Sequence, residues 1–164
     1  MIILGIDPGT ATTGFGVIEF SKNKITSIGY GCILTDPKRS DSQRLVDIHK
    51  QLTLLIKKYK PEAISVETLF FCKNQKTVMT VSQSRGVILL TCQLAKIPVF
   101  EYTPLQVKMA VTGYGKAEKK QVQKMIQTIL GLESIPHPDD AADALSVAIC
   151  HANCFPLKKL LSKY

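Results

Sequence analysis

Three separate stretches of the 164-residue chain end in carboxylates that could act together. Asp7 closes the apolar run IILGID, Glu67 closes EAISVE, and Asp140 and Asp143 lie in PDDAADAL. A spacing of three sets Asp140 and Asp143 on one helix face, about 5–6 Å apart at Cβ. Asp139 points roughly 100° away. Taken singly, each acid has a plain structural reading. Asp7 before Pro8-Gly9 starts a turn, Glu67 is a solvated strand end, and acids at a helix N-terminus favour the macrodipole by about 0.3–1 kcal/mol each. Taken together they point to chemistry. Neighbouring strands of one sheet can bring Asp7 and Glu67 to the same edge, and a helix packed there adds the other two. Four such carboxylates without cations repel one another and raise their own pKa values. Two divalent cations would balance the four charges, and oxygen donors suit magnesium or manganese better than zinc. Two ions about 3.5–4 Å apart serve an in-line phosphoryl displacement, the chemistry of a nuclease.

The elements that must position these acids are legible as patterns. Residues 2–7 form a short apolar strand stopped by Asp-Pro-Gly. Residues 13–20 and 25–34 are strand-like, with SKNK between them as a hairpin turn, so the first three strands form an antiparallel meander. A helix over about 42–58 carries Leu45, Ile48, Leu52, Leu55 and Ile56 at helical spacing and stops before Pro61. Residues 62–67 form the fourth strand and 97–102 the fifth. A second long helix over 77–95 is apolar on nearly every side in its later half, VILLTCQLA. A helix covering a sheet needs one apolar face, so the other face either meets a second copy or is buried within the chain. Short helices follow near 104–111 and 118–130, and a last helix runs from Pro138 to about Asn153. The expected fold is α/β: a five-stranded mixed sheet, meander plus parallel strands, flanked by helices. Residues 1–164 read as one domain, with a basic tail over about 155–164.

The net charge of +8 is concentrated in the middle third. Residues 71–135 hold nine Lys/Arg against three acids, which suggests a polyanionic partner such as nucleic acid. No apolar run reaches the ~20 residues needed to span a bilayer, and the N-terminus lacks a signal-peptide pattern. The expectation is a cytoplasmic protein with no membrane association. Of five cysteines, Cys150 and Cys154 flank His151, but their place on an apolar helix reads as packing, and no metal is assigned there. His49 has no assigned chemistry, and His137 reads as a helix-entry residue.

The strings GIDPGTATTGFGV, AISVETLFFCKN, SQSRG, PVFEYTPLQVK, GYGKAEKKQVQ and DDAADAL occur in that order over nearly the whole chain. In this combination the sequence resembles the RuvC family of Holliday-junction resolvases. The resemblance implies a ribonuclease-H-like fold, a homodimer, and paired magnesium-dependent nicks placed symmetrically across a four-way DNA junction, with manganese as a substitute. It implies that Asp7, Glu67, Asp140 and Asp143 are the catalytic, metal-holding acids, with two ions per site, and that Asp139 is a neighbour. It further implies that Lys108 and Lys119 contact the DNA backbone, with Lys120 adjacent to the second. Phe70 matches the junction-probing aromatic, with Phe71 beside it as an alternative ring or as packing. The family also implies a bacterial source and a partnership with the RuvA–RuvB branch-migration complex.

Three other readings share some residues. A ribonuclease-H-like nuclease acting on RNA or on RNA–DNA hybrids would keep the acids but need neither the doubly apolar helix nor the aromatic loop. An actin-like nucleotide-binding lobe would use GIDPG as a phosphate loop, but such proteins have two related lobes, and this chain shows no internal repeat. A junction-binding module without activity would not need the carboxylates.

Overall fold

A computed structural model describes the backbone over residues 1–68 and 75–161, and the side chains of these except 75–77 and 156–161. The strands are β1 (Ile2–Asp7), β2 (Thr12–Ser21), β3 (Lys24–Leu34), β4 (Ala63–Glu67) and β5 (Val99–Tyr102). The helices are α1 (Asp41–Tyr59), α2 (Gln75–Leu94), α3 (Pro104–Thr112), α4 (Lys119–Leu130) and α5 (Asp139–Leu161). The sheet runs β3-β2-β1-β4-β5. β1, β2 and β3 pair antiparallel, whereas β4 runs parallel to β1 and β5 parallel to β4. The mixed sheet expected from the sequence is present. Lys22 and Asn23 both have positive φ, the two-residue turn that matches the twist of a β-hairpin.

Strand alternation sorts the sheet's two faces. Leu4, Ile6, Val17, Ile33, Ile64 and Val66 pack against Ile48, Leu52 and Ile56 of α1 and Ile88 and Cys92 of α2. α1 is fixed at its start by the Ser40 hydroxyl, which accepts the Gln43 N–H, and at its end by Lys60 in the left-handed conformation. On the opposite face, Ile3 and Ile18 pack against α5 and against Val122, Ile126 and Leu130 of α4. α5 lies close to the sheet because glycines leave room for it. A Cβ at Gly14 would collide with the Asp140 carbonyl oxygen, and one at Gly16 would approach the Leu145 nitrogen to 2.7 Å. These glycines set the height of the α5 N-terminus above the end of β1.

α5 departs from the sequence expectation. It does not end near Asn153 but continues through Pro156 to Leu161, so residues 155–161 are helical and not a separate tail. Proline removes one backbone donor and strains the preceding turn. Here the Phe155 ring packs 5.7 Å from that of His151, in the turn that precedes the proline. α2 answers the question its sequence left open. Ile88 and Cys92 are buried, while Met79, Leu90 and Leu94 face outward.

Candidate active site

β1 and β4 are hydrogen-bonded neighbours with Ile6 opposite Val66, so Asp7 and Glu67 emerge side by side at one sheet edge. Ile6 and Val66 point into the core shared with α1 and α2, which turns the next residues, Asp7 and Glu67, toward α5. α5 begins over this edge and brings Asp140 and Asp143. All four acids expected from the sequence are half-buried. Asp7 is the hub. Its carboxyl is pushed well above the usual range by burial and by the negative fields of Glu67, Asp143 and Asp140, with Lys119 opposing. Burial and the Asp143 charge push Glu67 up to about 7, against the pull of Lys108 and Lys119. Burial likewise raises Asp143, partly offset by its bond to Lys119.

The two lysines expected to meet DNA stand at the same place. Lys119 opens α4 and bridges two acids, 3.1 Å from an Asp143 oxygen and 3.2 Å from an Asp139 oxygen. Partial burial disfavours its ammonium, but these bonds outweigh that and raise its pKa. Lys108 lies on α3 and lines a cleft of about 240 Å³ with Glu67, Pro104, Lys119, Asp143 and Ser146. Asp140 faces a different concavity, with Gly9, Thr10, Thr12 and Arg44. The acids therefore stand between two openings. Phe70, Phe71 and Cys72 lie outside the described residues.

Among the described residues, no three carboxylate, thiol or imidazole groups already form an ion cage. The four acids share an electrostatic field without sharing a coordination sphere. Donor chemistry nonetheless fits a hard divalent cation: all are oxygens, and burial plus mutual repulsion disfavour the Asp7 anion, an effect a cation would offset. Cys150 and His151 are buried, and His151 Nδ1 pairs with the Tyr102 hydroxyl at 2.8 Å, an arrangement of packing. His49 Nδ1 pairs with the Thr91 hydroxyl at 2.9 Å.

Three features of the site have no local signature in the sequence. Asp139 is exposed, and its bonds to Lys119 and to Gln123 Nε2 hold its carboxyl below the usual range. A chain of hydroxyls fastens the turn after Asp7. Thr10 Oγ1 donates to the Thr80 carbonyl at 2.8 Å and lies 2.7 Å from Ser84 Oγ, the Thr35 hydroxyl donates to the Thr10 carbonyl, and Arg44 Nε donates to Thr35 Oγ1. Ser84 belongs to the SQSRG string, whose role in tying α2 to this turn has no local signal. The third is an apolar strip on α3 beyond Lys108.

The model of the family described as "Crossover junction endodeoxyribonuclease RuvC" matches residues 3–151. A protein of that name from Syntrophomonas wolfei subsp. wolfei is 56% identical over 161 residues, covering 98% of this chain and 94% of that one. The Thermus thermophilus RuvC structure superposes with a TM-score of 0.90 at 33% identity, covering 96% of this chain and 97% of that one. The same bacterium's RuvC in complex with Holliday junction substrate gives 0.87 at 31%, covering 96% of each chain.

Proposed function

This chain belongs to the RuvC family of crossover junction endodeoxyribonucleases, and on that premise we propose that it resolves four-way DNA junctions by hydrolysing phosphodiester bonds in strands of like polarity. The observation that carries the catalytic assignment is the position of Asp7, whose carboxyl feels Glu67, Asp143 and Asp140 at once. Asp7, Glu67, Asp140 and Asp143 would hold magnesium, with manganese able to substitute, and their four charges match two divalent ions. Bound there, magnesium supplies positive charge that stabilises the phosphoryl oxygens during an in-line displacement.

The remaining steps belong to the chain's own groups. Glu67, raised to about 7, holds a proton for part of the time at neutral pH and must release it before acting as an anionic ligand. Lys108 and Lys119 place positive charge in the cleft that Glu67 and Asp143 also line. Such lysines bind phosphate and fix the register of a strand without reading its sequence. Lys119 can exchange its Asp143 partner for a phosphate oxygen while Asp139 retains hold of it. Phe70 is our choice for the ring that stacks at the branch point.

A junction presents two equivalent strands, and two copies of one chain related by a two-fold axis match it. The outward Met79, Leu90 and Leu94 of α2 support a homodimer through this face. Residues 1–164 act as a single nuclease domain. Among the described residues no helix is long and apolar enough to cross a membrane. We place the protein in the bacterial cytoplasm, working beside a RuvA–RuvB branch-migration complex.

The test is cleavage of a synthetic four-way junction compared with an RNA–DNA hybrid, each with magnesium and with chelator. Magnesium-dependent cutting confined to the junction is expected. Preferential cutting of the hybrid would contradict the assignment.

A further inference from the structure

The outer side of α3 and the loop after it carry exposed apolar groups that the cleft does not use. Leu105 is 61% exposed and Tyr114 59%, with Met109 and Met125 exposed nearby. At about 100° per residue, Lys108 falls between the cleft-facing Pro104 and Val107 and the outward-facing Leu105 and Met109. The apolar strip therefore begins where the cleft ends.

The loop is fastened on every side. Gly113 caps α3 with φ +72° and donates to the Met109 carbonyl. The Thr112 hydroxyl accepts the Tyr114 N–H at 3.1 Å and donates to the Tyr114 carbonyl at 3.0 Å. The same carbonyl accepts the Ala117 N–H at 3.1 Å. A Cβ at Gly115 would collide with the Leu105 side chain, so Leu105 rests directly on the loop backbone. Tyr114 is thus presented outward from a fixed backbone, beside a groove of about 310 Å³ lined by Thr112, Ala117, Gln121, Lys124 and Met125.

Charge selects the occupant. Residues 104–125 hold five lysines, at 108, 116, 119, 120 and 124, against the one acid Glu118. No acid lines the groove. A ligand suited to this surface is anionic and has a flat apolar face. A paired duplex offers phosphates but keeps its flat faces stacked inside, whereas a nucleotide freed at a branch offers both. We propose that Tyr114 and its groove receive an unpaired base of the junction strand as it leaves the catalytic cleft, with Lys124 beside its phosphate. This rests on the junction-resolving function above.

The experiment measures binding of the full chain in chelator, by fluorescence anisotropy, to a four-way junction and to a continuous duplex. The proteins are wild type, Tyr114→Ala and Tyr114→Phe. Loss of one base–aromatic stack should weaken junction binding about tenfold in Tyr114→Ala. Tyr114→Phe should stay within about twofold of wild type, because the ring is kept. Duplex binding should be unchanged in both, and so should the melting temperature, since Tyr114 is exposed. If Tyr114→Ala binds the junction like wild type, or weakens junction and duplex equally, the proposal fails while the junction function stands. Loss of self-association with DNA affinity intact would mark a protein contact and also overturn it. A wild-type chain with no preference for the junction overturns the underlying function as well.

Discussion

The Lys119 ammonium lies 3.1 Å from an Asp143 carboxylate oxygen, joining the start of α4 to the first turns of α5. A residue assigned to the DNA backbone is thus held, before any DNA arrives, by a residue assigned to the metal site. The pair keeps positive charge next to buried negative charge. It also sets two competing demands on Asp143, one from Lys119 and one from a cation.

Lys119→Ala removes the proposed phosphate contact and leaves Asp143 without its counter-charge. Cleavage of a four-way junction should fall at least about tenfold, and the dependence of junction affinity on salt should become shallower by roughly one unit of slope. Titration of binding against salt, wild type beside variant, measures this. Parallel salt curves and an unchanged rate would remove Lys119 from the DNA contact.

Asp139 holds the other side of the Lys119 ammonium. With Asp139→Asn, Lys119 should settle more fully on Asp143 and compete better with the cation. Exposed pairs contribute little, so the magnesium needed for half-maximal cleavage should rise only about two- to fivefold, with the saturated rate nearly unchanged. A magnesium titration of the rate decides. A collapse of the saturated rate would instead make Asp139 a ligand.

Glu67 has its pKa raised, mainly by burial, from an ordinary carboxyl value to about 7. The folded chain therefore binds this proton more tightly than the unfolded chain does. The associated stability is fully present below the unfolded pKa near 4.5 and is lost as pH rises through about 7. Asp7 shifts in the same direction. In chelator, the melting temperature should fall between pH 6 and pH 8. Magnesium should flatten that fall and become more stabilising as pH rises, because the deprotonated acids bind it. Melting curves at both pH values, with and without magnesium, test this. A fall of equal size in magnesium would show that no cation engages these acids.

Gly14→Ala puts a methyl where the Asp140 carbonyl lies. Overpacking of this kind costs about 1–3 kcal/mol, and relief requires the α5 N-terminus to rise from the sheet. We expect a lower melting temperature together with a loss of cleavage larger than the loss of junction binding. Thermal melts and cleavage rates on the same preparation check it. A stable, fully active variant would mean that the height of α5 does not set the site.

The parts legible in the sequence were those with local signatures. Strand ends marked Asp7 and Glu67, the three-residue spacing grouped Asp140 with Asp143, and the hairpin at Lys22-Asn23 announced itself by turn chemistry. What escaped was set by tertiary contact. Nothing near Lys119 announces its bond to Asp143, 24 residues away on another helix. Gly14 and Gly16 look like ordinary strand residues until α5 is laid over them. The length of α5 is not legible because Pro156 normally favours a stop, and the tilted contact of Phe155 with His151 depends on the folded core. The Thr10–Ser84 contact joins the first turn to α2 across 74 residues.

The catalytic account rests most directly on Asp7, and strand-by-strand mapping of cuts in a four-way junction tests it. Wild type and Asp7→Asn should be compared in magnesium, at enzyme concentrations where both bind the junction fully. The account predicts paired, symmetric nicks from wild type and none above background from Asp7→Asn, with junction affinity retained. Wild-type cutting by Asp7→Asn, or unpaired cuts scattered along the arms from wild type, would contradict it.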